Sequence, residues 1–98
     1  MKLFTKAGCT LCDAAKEKLA QAAEVESHTL EAVDITDPDN LDWWGKYKYD
    51  IPVLHVDGLY WAKHRITLEE ALDALAAARD GRFEAQVGEP DAARLERP

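Results

Sequence analysis

Apolar and polar positions along the chain fall into short blocks whose period switches between that of a strand and that of a helix. Residues 2–6, built around Leu3 and Phe4, predict a first strand. Residues 10–23 place Leu11, Ala15, Leu19 and Ala22 at the spacing of one helical face, while Lys16, Glu17, Lys18, Gln21 and the following Glu24 fill the other side. Residues 28–35 predict a second strand, and strand–helix–strand at this length is a βαβ unit whose crossover makes the two strands parallel. Asp37-Pro38 opens the next helix, with Asp suited to the N-cap and Pro to the first helical position. That helix should run to about Tyr49 with Leu41, Trp44 and Tyr47 or Lys48 on one side. Residues 51–56 predict a third strand, and Asp57-Gly58 is a two-residue hairpin signal that returns residues 59–63 as an antiparallel fourth. Thr67-Leu68-Glu69-Glu70 matches a capping box and opens a last helix, with Leu68, Ala71, Leu72 and Leu75 inward and an end near Gly81.

These elements occupy residues 1–81 and form one domain. Residues 82–98 are a polar tail with scattered Phe83, Val87 and Leu95, whose last ten residues are expected to be loosely ordered. A length of 98 residues suits a single modest core. A 47% apolar content argues against disorder throughout. No apolar run approaches the roughly 20 residues that span a bilayer, and the N-terminus lacks a secretory apolar core, so a cytoplasmic location without a membrane partner is expected. The formal charge of −7 argues against nucleic acid as a partner, because phosphate-backbone binding rests on clustered Lys and Arg.

The chemistry concentrates in Cys9-Thr10-Leu11-Cys12, which holds both cysteines of the chain. A pair at this spacing, where a strand meets a helix, is a thiol–disulfide exchange signature. Unpaired N–H groups and the positive end of the helix dipole favour a thiolate on Cys9, the attacking species in exchange. Cys12, one turn on, can close a small disulfide and release a mixed-disulfide partner. Asp13 opposes the activation, since a neighbouring carboxylate disfavours a thiolate. Two plainer alternatives stand beside this one. One is an inert disulfide, whose short loop adds little stability. The other is half a zinc site completed by histidines, although His28, His55 and His64 match no common finger spacing.

Four segments, in order, resemble the glutaredoxin-like small thioredoxin-fold proteins: Lys6-Ala7-Gly8-Cys9-Thr10-Leu11-Cys12, Val33-Asp34-Ile35, Asp50-Ile51-Pro52-Val53 and Val56-Asp57-Gly58. The resemblance covers roughly residues 1–80. It implies an α/β thioredoxin-like fold, a three-layer α/β/α arrangement of order β-α-β-α-β-β-α on a four-stranded mixed sheet. It implies a thiol–disulfide oxidoreductase in which Cys9 is the nucleophile, Cys12 the resolving thiol and Lys6 a source of positive charge. It also implies a cis-Pro52 packed against the cysteine pair, with the Ile51 backbone turned to pair with a substrate peptide. The implied partner is a disulfide-containing protein or glutathione, with glutathione or a reductase as electron donor. Lys46, Lys48, Lys63, His64 and Arg65 are the other basic candidates near a ligand. By the resemblance Lys46 or Lys48 could receive a glutathione carboxylate, while the plainer reading of these lysines is a solvated helix face. No metal or organic cofactor is built in, and a monomer is expected. The Gly-Gly kink and following acidic residue of glutaredoxins are replaced here by Trp61-Ala62-Lys63-His64-Arg65. An alternative on the same fold is a redox-poor binding or adaptor module that holds its partner through the proline edge and the aromatic helix. A metal carrier using both thiols is a third.

Trp43 and Trp44 point about 100° apart on a helix, so one faces the core and the other is partly exposed. We read these aromatics as core packing, with an aromatic wall beside the site as the alternative. His55, inside a strand, reads as a satisfied structural histidine, Asp34 as a strand-end carboxylate and Asp57 as a turn residue.

Overall fold

Alternation along one strand assigns the layers. In the computed structural model, which describes residues 1–95, β1 (Lys2–Thr5) sends Leu3 and Phe4 into two different cores. It is followed by α1 (Thr10–Val25), β2 (Glu31–Asp34), a 3₁₀ turn (Pro38–Asn40) and α2 (Leu41–Tyr47). Then come β3 (Val53–Val56), β4 (Leu59–Lys63), α3 (Leu68–Arg79) and α4 (Ala92–Leu95). The sheet order is β2-β1-β3-β4, with β1 and β2 parallel and the other neighbours antiparallel. Leu3 and Leu54 pack with Ala15, Leu19 and Ala22 of α1 and with Ala71 and Leu75 of α3. Phe4 and Val53, one residue along each strand, pack with Ile35, Tyr60 and Tyr47 of α2 on the opposite face. This is the expected α/β class, a mixed four-stranded sheet between helical layers in a thioredoxin-like fold.

Local chemistry accounts for the element ends. Asp57 and Gly58 both adopt positive φ (51° and 79°), the pair of values that a two-residue type I′ hairpin requires, and Val56 pairs with Leu59 across it. Thr67 and Glu70 form the complete capping box at the start of α3, each side chain accepting the other residue's backbone N–H at 3.1 Å. Asp37 caps its element as expected by accepting the Asp39 N–H at 2.9 Å, but the capped turn is 3₁₀, and α2 begins only at Leu41 and ends at Tyr47.

Three further expectations are corrected. The second strand is Glu31–Asp34 rather than 28–35, because the chain before it is tied to the N-terminus: the Met1 ammonium donates to the Thr29 carbonyl and the Glu31 N–H to that of Met1. The inward face of α2 carries Trp43 and Tyr47, not Leu41 and Trp44. Trp43 lies 4.5 Å from the Phe4 ring and stacks on Tyr47 at 5.4 Å, while Leu41 is 64% exposed. The aromatic ring of Phe4 selects this face, since stacking offers more contact than Leu41 can.

The tail gives the largest correction, because through residue 95 it docks rather than hangs loose. The Gln86 N–H donates to the Tyr60 carbonyl at 2.9 Å, Glu89 pairs with Lys46, and Pro90 and Ala92 are buried beside α2. Residues 96–98, the remainder of the segment expected to be loose, lie outside the described residues.

Candidate functional site

β1 ends at Thr5 and the chain turns through Gly8, whose φ of +78° lies in the region that favours glycine. Cys9 then falls on the N-cap of α1, with an extended backbone, and its Sγ accepts the Cys12 N–H at 3.1 Å. The sulfur therefore occupies the place of a capping oxygen, against an N–H that has no partner inside the helix. Cys9 is half-buried, whereas Cys12 has no exposed surface and lies on the face of α1 that carries Ala15, Leu19 and Ala22. The two sulfurs are within bonding distance in disulfide geometry, and their Cα atoms lie 5.2 Å apart. Of the two sulfurs, that of Cys9 is therefore the one nearer solvent, and Cys12 is held behind it.

The antiparallel register pairs Phe4 with Val53. Carried one step further, it sets Pro52 opposite Thr5, so the cysteine loop and the Ile51-Pro52 segment leave the two central strands at the same end of the sheet. The Ile51–Pro52 peptide is cis and Pro52 is buried. The Pro52 carbonyl accepts the His64 N–H at 2.8 Å, which ties the end of β4 to this loop. Among the described residues no hydrogen bond engages the Ile51 backbone, so its peptide groups remain open to a strand-like ligand. Asp50, just before, lies 3.6 Å from the Lys63 ammonium and 3.3 Å from the His64 ring. Lys6 is exposed in the loop before Cys9, and Asp13 is exposed in the first turn of α1.

The remaining basic candidates separate. Lys46 points to the tail, pairing with Glu89 and lying over the Trp43 and Tyr47 rings. Lys63 and His64 are drawn to Asp50, and Arg65 lies on a groove beside α1. His55 is structural, as expected: its Nε2 lies 2.9 Å from the Tyr47 hydroxyl, which in turn donates to Glu89 at 2.9 Å. A carboxylate only accepts, so the Tyr47 proton goes to Glu89 and His55 must donate through Nε2–H. Burial holds His55 below its ordinary value, outweighing the opposing pull of Glu89. Burial, and then the bond to Glu89, pushes the Tyr47 hydroxyl up. Burial alone would raise Glu89, but hydrogen bonds from Lys46 and Tyr47 and the charge of Lys46 bring it below the usual range. Asp34 is held below its ordinary value by the Thr36 hydroxyl and N–H, which close a turn at the end of β2.

No sequence signal flagged the Tyr47–His55–Glu89 network. Its one trace was a histidine inside an apolar strand; its hydrogen-bond partner Tyr47 lies 8 positions away, and Glu89, which completes the network through Tyr47 from 42 positions away, is brought near only by folding. Among the described residues no group of three or more His, Cys, Asp or Glu side chains is placed to hold a metal ion, and no helix is long and apolar enough to cross a membrane.

A thioredoxin-like sheet with a Cys-x-x-Cys pair at the start of its first helix, the first cysteine on the N-cap, defines a class of thiol-bearing α/β domains. Comparison with known proteins narrows the class. The model of the glutaredoxin-like domain (DUF836) family matches residues 1–76. A curated relative, the "Glutaredoxin-like protein YDR286C homolog" of Dictyostelium discoideum, is 37% identical over 70 residues, covering 67% of this chain and 65% of that protein. The chain belongs to the glutaredoxin-like family, and its match spans slightly less than two-thirds of that curated relative's length.

Proposed function

We propose that this protein is a thiol–disulfide oxidoreductase working through the Cys9/Cys12 dithiol. The observation that carries the proposal is the half-buried Cys9 sulfur on the N-cap of α1, accepting a backbone N–H, with a fully buried second sulfur in bonding reach. In the forward reaction the Cys9 thiolate attacks one sulfur of a substrate disulfide. A Cys9–substrate disulfide forms and the other substrate sulfur leaves as a thiolate. Cys12, whose proton passes to the substrate thiolate just released, attacks the Cys9 sulfur, closes the Cys9–Cys12 disulfide and releases the second substrate thiolate. Two electrons pass from the protein dithiol to the substrate. Two glutathione thiols, or the dithiol of a reductase, return them by the reverse sequence. The substrate segment lies along the open Ile51 peptide groups, with Lys6 lending positive charge to the cysteine loop. A reducing compartment such as the cytoplasm keeps this cycle running.

A coupled assay that supplies electrons either from glutathione or from a thioredoxin-type reductase tests the proposal. Turnover is expected with one donor, lost in Cys9→Ser, and a Cys12→Ser variant should accumulate the mixed disulfide, visible by mass spectrometry. No turnover with either donor and no trapped adduct would reject it in favour of a binding module on the same fold.

A further inference from the structure

A groove of about 300 Å³ runs along α1 beside the exchange site. Its lining includes Leu11, Ala14 and Ala15 from one face of α1 and Ile66 from the loop before α3. Leu11 lies between the two cysteines in sequence, and His64, also on the lining, is the residue whose N–H holds the Pro52 carbonyl. The groove therefore reaches both halves of the exchange site. Its charge runs against that of the molecule. In a chain of net charge −7, this groove is bordered by Lys18, Arg65 and His64 against a single carboxylate, Glu70. Glu70 is occupied by the Thr67 N–H of the capping box, and His64 is drawn to Asp50. Among the described residues neither Lys18 nor Arg65 has an ion-pair partner. Two uncommitted cations at an apolar trough suit a ligand with an apolar side chain and a carboxylate near each other.

We infer that the groove selects disulfide-bearing protein segments in which an acidic residue and an apolar residue flank the reacting cysteine. Lys18 and Arg65 would receive the carboxylate, and Leu11, Ala14 and Ile66 the apolar side chain. The inference rests on the exchange chemistry proposed above. It sets the substrate class by a local positive patch on an otherwise acidic surface, which attracts acidic segments at short range and discriminates against basic ones.

The test uses the reduced full-length chain and three disulfide-bonded peptides, identical except for Glu, Gln or Lys near the cysteine. Exchange should be fastest with Glu and slowest with Lys, by about two- to fivefold per step, the size expected for an exposed ion pair. The preference should shrink in Arg65→Gln and Lys18→Gln and at high salt, but persist in Lys16→Gln, a control on the outer face of α1. Equal rates for the three peptides, or the same preference in the Arg65 and Lys18 variants, would overturn the groove while leaving the exchange chemistry standing. Should none of the peptides exchange, that chemistry fails. The groove is then judged by titrating the Glu peptide, with serine in place of cysteine, against backbone amide NMR. Shifts at Leu11, Ala14 and Ile66 sustain it, and their absence overturns it.

Discussion

At the scale of single residues, the activation proposed for Cys9 rests on a backbone donor. Its sulfur accepts the Cys12 N–H, which is present whatever side chain residue 12 carries. Lys6 favours and Asp13 opposes the thiolate, but both are exposed and screened by water, whereas the N–H is in direct contact with sulfur. In the reduced protein Cys9 should titrate below the roughly 8.5 of a free cysteine, as followed by the pH dependence of its alkylation. The depression should survive in Cys12→Ser, which keeps the amide. A Cys9 thiol titrating at or above the free value would remove the basis of the catalytic proposal. Residue-scale legibility was good here: cysteine spacing and the turn before the helix are local, and the sequence displays both. Cys12, one turn into the helix, is buried as its position implies; what spacing did not show is that Leu11, expected on the inward face of α1, borders the groove.

At the scale of elements, the C-terminal segment changes the picture most. It lies beyond the family match at residues 1–76, yet it lays Glu89, Pro90 and Ala92 on the α2 side of the sheet. The Tyr47 hydroxyl is its junction, joined to His55 of β3 and to Glu89. Tyr47→Phe keeps the ring but leaves the buried His55 Nε2–H without an acceptor, a loss of about 1–3 kcal/mol by urea unfolding. It should also speed hydrogen exchange at the Gln86 amide, which donates to Tyr60. Unchanged exchange there would show that the tail is held by its apolar contacts alone. At the other end of the domain, Thr67→Ala removes half of a reciprocal cap and should cost about 0.5–2 kcal/mol. The cap was readable because its parts are three residues apart; the tail was not, because Glu89 meets Tyr47 across 42 positions.

At the scale of the whole molecule, two cores on opposite faces of one sheet carry the stability, and Leu19 sits fully buried in the larger. Leu19→Ala should cost about 2–5 kcal/mol in chemical denaturation, with smaller values showing that α1 and α3 close over the gap. The response to acid follows from the network on the other face. His55 is held below its ordinary 6.5, so the unfolded chain binds a proton more readily. The stability contributed by neutral His55 is complete above about pH 6.5 and lost as pH falls through its folded value. Glu89 is held below its ordinary 4.5, so its contribution is present above that pH and lost below it. Both act in one direction. Tm should fall on acidification from about pH 6.5 and fall again below about 4.5, and His55→Gln should flatten the upper step. An upper step that persists in that variant would assign it elsewhere.

Taken by itself, the sequence determined the elements of residues 1–81, their order and the cysteine pair, though not the short α4 of the tail. Each of these is written in short-range terms: the period of apolar residues, the residue types that cap helices and close hairpins, and two cysteines a helical turn apart. The tertiary structure alone decided which aromatic of α2 turns inward, where the tail lies, which basic residues are spent on ion pairs and which border a groove. Those outcomes rest on contacts between positions far apart in sequence, and one periodic pattern fits several such pairings until packing around Phe4 and Tyr47 selects one.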